Sequence, residues 1–271
     1  MGAVTVERVA TDLGAVEVRR GGDGPPLVYL HSAVGEGDGL PLLDLLAADF
    51  AVVAPMFPGF GGSEGIEQVD DMDDAVFHLV DLWDRLGLRD PVVVGLSLGG
   101  WMAVELAVRH PGRVGRLVLV NPVGLYLKGA EIGDIFGRRP WELVDDLFAD
   151  PDFPMAQVAR GLRHVAPGQL DFAVLRPMLQ HQAATARLGW NPYLHDPKLP
   201  RRLHRVSAPT LVVRGAQDTL VPPAHADAYV AGIPGARLEV LDGAAHLLAL
   251  ERPDALAGLV RAFARPGTMS A

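Results

Sequence analysis

The stretch VVVGLSLGGWMA, residues 92–103, decides the fold. Three β-branched residues lead into Gly95, Ser97 follows, and the chain continues through Gly99 into a segment rich in Ala, Met and Leu. This order predicts a buried strand, a tight turn and a helix. Side chains at positions 95 and 99 would collide with neighbouring backbone in so tight a turn, which explains the glycines. The turn places the Ser97 hydroxyl at a helix N-terminus, where free backbone N–H groups favour developing negative charge.

Strands and helices alternate on both sides of this stretch. Alternating apolar and polar residues at 3–9 and 13–19 predict an antiparallel hairpin. Further strands are predicted at 25–31, 51–55, 91–96, 116–121, 210–215 and 237–242. Helices are predicted at 40–50, 98–110, 223–232 and 251–264, and the acidic run 70–74 opens another, whose apolar positions extend from Met72 to Leu86. Such alternation predicts an α/β protein with a mostly parallel, doubly wound sheet covered on both faces.

Residues 123–205 break this alternation. They contain no convincing strand but carry helical stretches such as PWELVDDLFAD and LRPMLQHQAATARL. We therefore expect a core made of residues 1–122 and 206–271, with residues 123–205 as an all-helical insertion.

The composition excludes several classes of protein and site. A formal net charge of −9 argues against a nucleic-acid or anionic-membrane partner. The absence of cysteine excludes disulfides, thiolate nucleophiles and cysteine-ligated metals. The acidic run DDMDD (70–74) fits a helix N-terminus better than a metal site, and GEGDG (35–39) does not open a dinucleotide-binding unit. Because no signal peptide or long apolar run is evident, a cytoplasmic location is expected.

Two loops supply the groups that a serine nucleophile needs. A base must take the serine proton, and a carboxylate must orient that base. Asp218 directly follows a predicted strand in RGAQDTLVPP, and His246 follows the last strand in VLDGAAHLLALERP. Both loops leave the carboxyl ends of strands, where open parallel sheets place their sites. The order Ser97, Asp218, His246 is also that of the nucleophile-elbow enzymes, so these three residues are the predicted catalytic triad.

Five motifs along the chain resemble the α/β-hydrolase fold family, and the resemblance extends over nearly the whole length. They are LHSAVGEG, PGFGGS, GLSLGG, GAQDTLVP and GAAHLLALERP. The resemblance implies that Ser97 is the nucleophile, Asp218 the acid and His246 the base. It also implies that the backbone N–H groups of Leu98 and Ala33 form an oxyanion hole. The helical insertion matches the family's cap, or lid, over the substrate pocket.

Two positions depart from the family pattern. The family commonly has His-Gly where this chain has His31-Ser32, so the Ser32 side chain either narrows the oxyanion loop or adds a hydroxyl near the substrate. Met56 stands where the family often has the Asp of Asp-x-Pro-Gly. His31 is expected to position its loop through hydrogen bonds. Four large apolar side chains of the insertion are further candidates for the pocket, and each equally fits packing of the cap on the core: Phe136, Trp141, Met178 and Trp190.

Each triad assignment has a structural alternative. Ser97 would be a structural serine in a tight turn, and His246 would be a surface histidine with no catalytic role. Asp218 would cap the helix that follows it. Asp242 is a competing acid, but its place four residues before the histidine favours a role in the turn. Asn121 lies where some relatives place the acid, and its amide cannot serve as one.

Taken together, the residues predict a serine hydrolase that cleaves a small, largely apolar ester or lactone through an acyl-enzyme. Ser97 disfavours the family's dehalogenases and epoxide hydrolases, which use aspartate. Carbon–carbon bond hydrolysis of a diketone-like substrate is the alternative, although that branch usually has Asn where this chain has Leu96. Amide hydrolysis, perhydrolysis and a non-catalytic ligand-binding role stay open. We expect no cofactor or metal, a small-molecule substrate as partner, and a monomer or homodimer.

Overall fold

A computed structural model describes residues 4–37, 39–169 and 172–265 of the chain, and there eight strands form one sheet. The strands are β1 (Thr5–Thr11), β2 (Gly14–Gly21), β3 (Pro26–Leu30), β4 (Ala51–Pro55), β5 (Val92–Leu96), β6 (Arg116–Val120), β7 (Thr210–Gly215) and β8 (Arg237–Leu241). Their order across the sheet is β1-β2-β4-β3-β5-β6-β7-β8. The β1–β2 hairpin and the β2–β4 pair are antiparallel, and the other neighbours are parallel. The predicted hairpin and mostly parallel sheet are confirmed.

Helices pack on both faces of this sheet. They are α1 (Pro41–Ala47), α2 (Met72–Leu86), α3 (Leu98–Arg109), α4 (Pro140–Leu147), α5 (Pro154–Gly161), α6 (Phe172–Gly189), α7 (Pro223–Gly232), α8 (Leu248–Glu251) and α9 (Pro253–Ala264). The acidic run before α2 serves the helix start, because the Asp71 side chain accepts hydrogen bonds from the backbone amides of Asp73 and Asp74.

Alternate residues of the central strands feed two apolar cores. In β3, Val28 and Leu30 join the core beneath α2 and α3, whereas Leu27 and Tyr29 join the core beneath α1 and α9. The same alternation holds in β5, β6 and β7. These strands are buried on both faces, which is why they read as continuous apolar runs in the sequence.

The insertion between β6 and β7 contains α4, α5 and α6. Among its described residues there is no strand, only an isolated bridge that joins Gly124 to His195 near its two ends. Helix α5 was not singled out from the sequence. Val144 and Phe148 of the insertion are buried in the same core as α1 and α9. The division of the chain into a core and a cap stays a prediction.

The register of the parallel strands brings the predicted site loops together. Leu30 of β3 pairs with Gly95 of β5, and Leu96 pairs with Val120 of β6. Loops that leave these carboxyl ends therefore share one edge of the sheet, as expected for an open parallel sheet.

Candidate active site

Ser97 lies in a sharp turn between β5 and α3. Its backbone has φ 54° and ψ −109°, a conformation that non-glycine residues rarely adopt. A Cβ on Gly95 would lie 2.4 Å from the carbonyl oxygen of Gly99, and one on Gly99 would lie 2.2 Å from that of Leu30. Both glycines are therefore required by contacts with backbone, as the sequence predicts.

Ser97, His246 and Asp218 form a continuous chain of hydrogen bonds. The Ser97 hydroxyl lies 2.8 Å from His246 Nε2, and His246 Nδ1 lies 2.9 Å from Asp218 Oδ2. Since an ionised carboxylate only accepts, the network assigns the imidazole proton to Nδ1 and leaves Nε2 to accept from the serine. All three residues are buried, with exposed fractions of 4 % or less. The arrangement can move a proton from the hydroxyl to the imidazole in a site removed from bulk water.

The structure separates the two candidate acids. Asp218 Oδ1 accepts a hydrogen bond from the Val221 amide at 2.9 Å, and the residue before α7 is Pro222, so Asp218 does not cap that helix. Asp242 instead accepts a hydrogen bond from Gln217 Nε2 at 2.8 Å, and this bond lowers the pKa of Asp242. Asp242 therefore shapes its turn, as expected from its position.

Asn121 holds the loop that carries His246, a role the sequence analysis missed. Its Nδ2 donates to the carbonyls of Ala245 and His246 at 3.0 and 2.9 Å, and its Oδ1 accepts from the Gly215 amide at 2.9 Å. The residue is 2 % exposed and has φ 42°, which Asn tolerates. The signal available in the sequence is an amide directly after a buried strand, where a polar residue must find partners.

Residues 31–36, here called the β3 loop, lie beside the elbow. His31 is 1 % exposed, its Nδ1 donates to the Ser32 carbonyl at 2.7 Å, and its Nε2 accepts from the Phe57 amide at 3.0 Å. Burial lowers the pKa of His31 to about 3, so the ring is neutral and positions the loop. Within the described residues, the amides of Ala33 and Leu98 donate no hydrogen bond.

Ser32 is placed differently from the expectation that it contacts substrate. It is 1 % exposed, and its hydroxyl lies 2.5 Å from Glu36 Oε2 and accepts from the Val34 amide at 3.1 Å. Glu36 is buried as well, and burial raises the pKa of its carboxyl. The hydroxyl is therefore engaged within the β3 loop. Met56, the other departure, is buried in the core beneath α2 and α3.

The four large side chains proposed for the pocket lie in different surroundings. Phe136 packs against Trp190, with ring centroids 5.2 Å apart, and Trp141 lies under the guanidinium of Arg139. Trp190 and Met178 are 63 % and 37 % exposed, which differs from the expectation of side chains enclosed in a pocket. The placement of Phe136 and Trp141 in the substrate pocket stays a prediction.

The end of α4 contacts both loops that carry the acid and the base. The Asp146 carbonyl accepts from the His246 amide at 3.4 Å, and the Leu147 carbonyl accepts from the Leu247 amide at 3.0 Å. The Thr219 hydroxyl donates to Asp146 Oδ1 at 2.5 Å. The insertion is therefore joined by hydrogen bonds to the two loops that hold Asp218 and His246.

Two negative findings apply to the part of the chain that the structure describes. There, no group of three or more His, Asp or Glu side chains is arranged to hold a metal ion. No helix in the same ranges is both long and apolar enough to cross a bilayer. The cytoplasmic location and the monomeric or dimeric state stay predictions.

Comparisons with known proteins identify the family of the chain. The model of the alpha/beta hydrolase family matches residues 25–259. The chain is 30 % identical to pimeloyl-[acyl-carrier protein] methyl ester esterase from Aromatoleum aromaticum over 257 residues, 89 % of this chain and 98 % of that protein. It is 29 % identical over 250 residues to the dihydrolipoyllysine-residue acetyltransferase component of the acetoin cleaving system of Cupriavidus necator. That match covers 90 % of this chain but 64 % of that protein.

Among solved structures, a 2-hydroxy-6-oxo-6-phenylhexa-2,4-dienoate hydrolase from Rhodococcus sp. strain RHA1 superposes with a TM-score of 0.77. The two chains are 27 % identical, and the match covers 97 % of this chain and 99 % of that one. Similarity over both full lengths includes the insertion as well as the sheet.

Proposed function

Since the chain belongs to the alpha/beta hydrolase family, we propose that it is a serine hydrolase of small, largely apolar esters or lactones that works through an acyl-enzyme. Membership confirms the family resemblance and the fold predicted from the sequence. The observation that carries the proposal is the chain of hydrogen bonds from Ser97 through His246 to Asp218, at 2.8 and 2.9 Å. Such a chain supplies an activated nucleophile, a base and a group that orients the base.

In the proposed mechanism, His246 Nε2 takes the proton as the Ser97 oxygen attacks the substrate carbonyl. Asp218 keeps the other imidazole proton on Nδ1 and stabilises the imidazolium that forms. Expulsion of the alcohol leaves an acyl-enzyme, and His246 returns its proton to the leaving oxygen. Water that loses a proton to the same imidazole then releases the acid and restores the Ser97 hydroxyl.

Two backbone amides would bind the negative oxygen of the tetrahedral intermediate. The proposal assigns the Leu98 and Ala33 N–H groups to this oxyanion hole, and neither donates to another described residue. Leu98 is also the first residue of α3, so its N–H lies at the positive end of the helix dipole. Amides that are already oriented stabilise a developing charge with little reorganisation, which is the largest single effect in many acyl transfers.

The surroundings of the base support an apolar substrate and a cap role for the insertion. Leu247, Val144 and Phe148 are buried in one apolar core, so α4 brings apolar surface to the loop of the proposed base. An apolar lining with few polar groups is typical of pockets for small organic molecules. We propose that residues 123–205 form the roof of this pocket.

Carbon–carbon bond hydrolysis is the second candidate function. The observation that favours it is the full-length match to the Rhodococcus hydrolase, whose substrate by name becomes a diketone in its keto tautomer. Leu96 weighs against it, because this side chain is buried in the core and offers no amide before the serine. Esters and lactones therefore stay the first choice.

The test pairs active-site labelling with a substrate panel. A fluorophosphonate probe should label the wild type and Ser207→Ala, whose serine is exposed, but not Ser97→Ala. The same three proteins are assayed with p-nitrophenyl esters, lactones and a 1,5-diketone, and Ser97→Ala should lose about 10⁴–10⁶-fold in kcat. Turnover of the diketone alone would select the second candidate. A folded wild type with neither labelling nor turnover would reject the enzyme and favour a ligand-binding protein.

A further inference from the structure

Glu36 is a buried acid that the proposed mechanism does not use. Its Oε1 accepts hydrogen bonds from the Ser32 amide and the Tyr29 hydroxyl, both at 2.8 Å, and its Oε2 lies 2.5 Å from the Ser32 hydroxyl. A buried carboxyl costs stability unless it is fully hydrogen-bonded, and here three donors surround it. Two of the three belong to Ser32, the residue that replaces the usual glycine. Ser32 and Glu36 therefore act as one unit within the β3 loop.

Ser32 is also held through its carbonyl, which belongs to the peptide group that carries the Ala33 N–H. The Ser32 carbonyl accepts from His31 Nδ1 at 2.7 Å and from the Gly35 amide at 3.1 Å. The Ser32 carbonyl and the Ala33 N–H belong to one planar trans peptide, so they point in opposite directions. Fixing the carbonyl therefore fixes where the Ala33 N–H points. Glu36 holds the other side of Ser32, through its amide and its hydroxyl.

The fixed orientation of the Ser32–Ala33 peptide is important, because the Ala33 amide must be oriented before the reaction. An oxyanion hole acts through donors that already point to where the charge develops, so a donor that rotates loses most of its effect. The buried His31 ring packs against Phe57 and Phe60, but the turn that follows contains Gly35, at φ 74°, and an exposed Val34. Ser32 itself brings only a short polar side chain, so its hydrogen bonds set the orientation of its peptide groups.

We propose that Glu36 is a positioning residue that orients the Ala33 amide of the oxyanion hole through Ser32. The inference rests on the proposed function, because it assigns a role in the same reaction. It also explains the Ser32 departure: the hydroxyl serves Glu36 and not the substrate. Tyr29 completes the network from the strand side, since its hydroxyl donates to the same oxygen as the Ser32 amide.

The test removes the network in steps. Glu36→Met keeps the length of the side chain and removes both acceptors, whereas Glu36→Gln keeps an acceptor for the Ser32 amide. Ser32→Ala removes the hydroxyl alone, in case Glu36→Met does not fold. The matched control is Thr210→Val, which removes a buried hydroxyl that bonds the Ala208 carbonyl at 2.9 Å, at the other end of the sheet. Steady-state and burst kinetics with a p-nitrophenyl ester are measured per mole of folded protein.

We expect Glu36→Met to lower kcat and the acylation burst rate by about 10²-fold or more, close to the loss of one oxyanion-hole donor. KM should stay within about threefold, because the ground-state substrate does not need the oriented amide. Glu36→Gln should recover most of the loss, Ser32→Ala should lose about tenfold, and Thr210→Val should keep the wild-type kcat. Amide hydrogen exchange over residues 31–35 should speed up in Glu36→Met and in Ser32→Ala.

Other outcomes separate the two proposals. If Glu36→Met and Ser32→Ala lose stability as Thr210→Val does while kcat is unchanged, Glu36 is only structural and the inference is overturned. If the wild type itself shows no Ser97-dependent turnover, the proposed function fails. In that case hydrogen exchange alone tests whether Glu36 positions the Ala33 amide. Unchanged exchange over residues 31–35 in Glu36→Met would overturn this inference as well.

Discussion

Replacing Asn121 by Asp tests whether the amide at the end of β6 holds the loop of His246. The amide donates to the carbonyls of Ala245 and His246 and accepts from the Gly215 amide. Asp has nearly the same shape and, like Asn, tolerates the φ of 42° at this position. The substitution therefore removes two donors and leaves the acceptor and the backbone conformation in place.

The size of the effect follows from the two buried carbonyls that lose their partner. Each costs about 1–3 kcal/mol when left unpaired, so the free energy of unfolding should fall by about 2–6 kcal/mol. This is a large part of the ~5–15 kcal/mol by which natural domains are stable. Burial and the facing carbonyls raise the pKa of the introduced carboxyl above the ~3.9 of an exposed Asp. Because a protonated carboxyl donates one hydrogen bond, the variant regains part of the lost stability as the pH falls through that raised pKa.

Urea unfolding at pH 8 and pH 5 measures the effect, with Asn191→Asp as the matched control. Asn191 is exposed, so the same chemical change there should cost no more than about 0.5 kcal/mol. In Asn121→Asp, kcat should also fall by about 100-fold, because a shift of about 1 Å in the His246 loop misaligns the base. If both variants unfold at the same urea concentration at pH 8, the amide does not hold the loop and the reasoning fails.

Three further predictions follow from other contacts. Asp218→Asn should lower kcat by about 10⁴-fold through the wrong tautomer of the imidazole, whereas Asp242→Asn should leave kcat unchanged; equal losses in steady-state assays would contradict the triad. Burial lowers the pKa of His181 below its ordinary 6.5, so the folded protein loses stability as the pH decreases below 6.5. His181→Gln does not titrate and should flatten the dependence of urea stability on pH between 7 and 5; an unchanged slope would show that other groups cause it. Gly99→Ala should cost at least about 3 kcal/mol by its clash with backbone, whereas Gly258→Ala, on open surface of α9, should gain about 0.5–1 kcal/mol; thermal melts in which both variants behave alike would refute the elbow argument.

Much of the fold could be predicted because the central strands are buried on both faces. The strands β3 to β8 begin and end within one residue of their predicted bounds, and their alternation with helices predicts a parallel sheet. The antiparallel pairing of β2 with β4 could not be predicted, because pairing depends on which strand the hairpin meets in space. Helix α5 was missed for a different reason: it is only eight residues long, and so short a helix gives a weak periodic signal in the sequence.

The candidate site, like the fold, could be predicted only in part from the sequence. Ser97, Asp218 and His246 could be predicted to meet, because each follows the carboxyl end of a strand in one parallel sheet. The residues that hold the triad loops in place could not be predicted, because the role of each depends on the direction of its side chain. Asn121 was only ruled out as the acid, whereas it serves as a hydrogen-bond donor to backbone carbonyls. Glu36 was passed over within a glycine-rich stretch, and its only local signal is the serine four residues before it.

The contacts of the insertion indicate which of its helices can move without disturbing the triad. The end of α4 bonds the backbone of the His246 loop through the Asp146 and Leu147 carbonyls, so moving α4 displaces the proposed base. Helix α6 is held differently along its length. Ala184 and Leu188 of its C-terminal half are buried in the core beneath α2 and α3, whereas in its middle His181 contacts the Val34 carbonyl and the Gly61 amide, at 2.8 and 3.2 Å.

These α6 bonds reach the loops after β3 and β4 and not those of Asp218 or His246. Side-chain bonds at a partly exposed surface break at less cost than buried backbone bonds. If the insertion opens to admit substrate, we therefore expect the exposed N-terminal half of α6 to move while its buried C-terminal half and α4 stay in place. Opening on that side would leave the bonds from Ser97 to His246 and Asp218 intact. The β3 loop would lose its contact with His181, while the Ser32–Glu36 unit and the bond between His31 and the Ser32 carbonyl continue to hold the Ala33 amide.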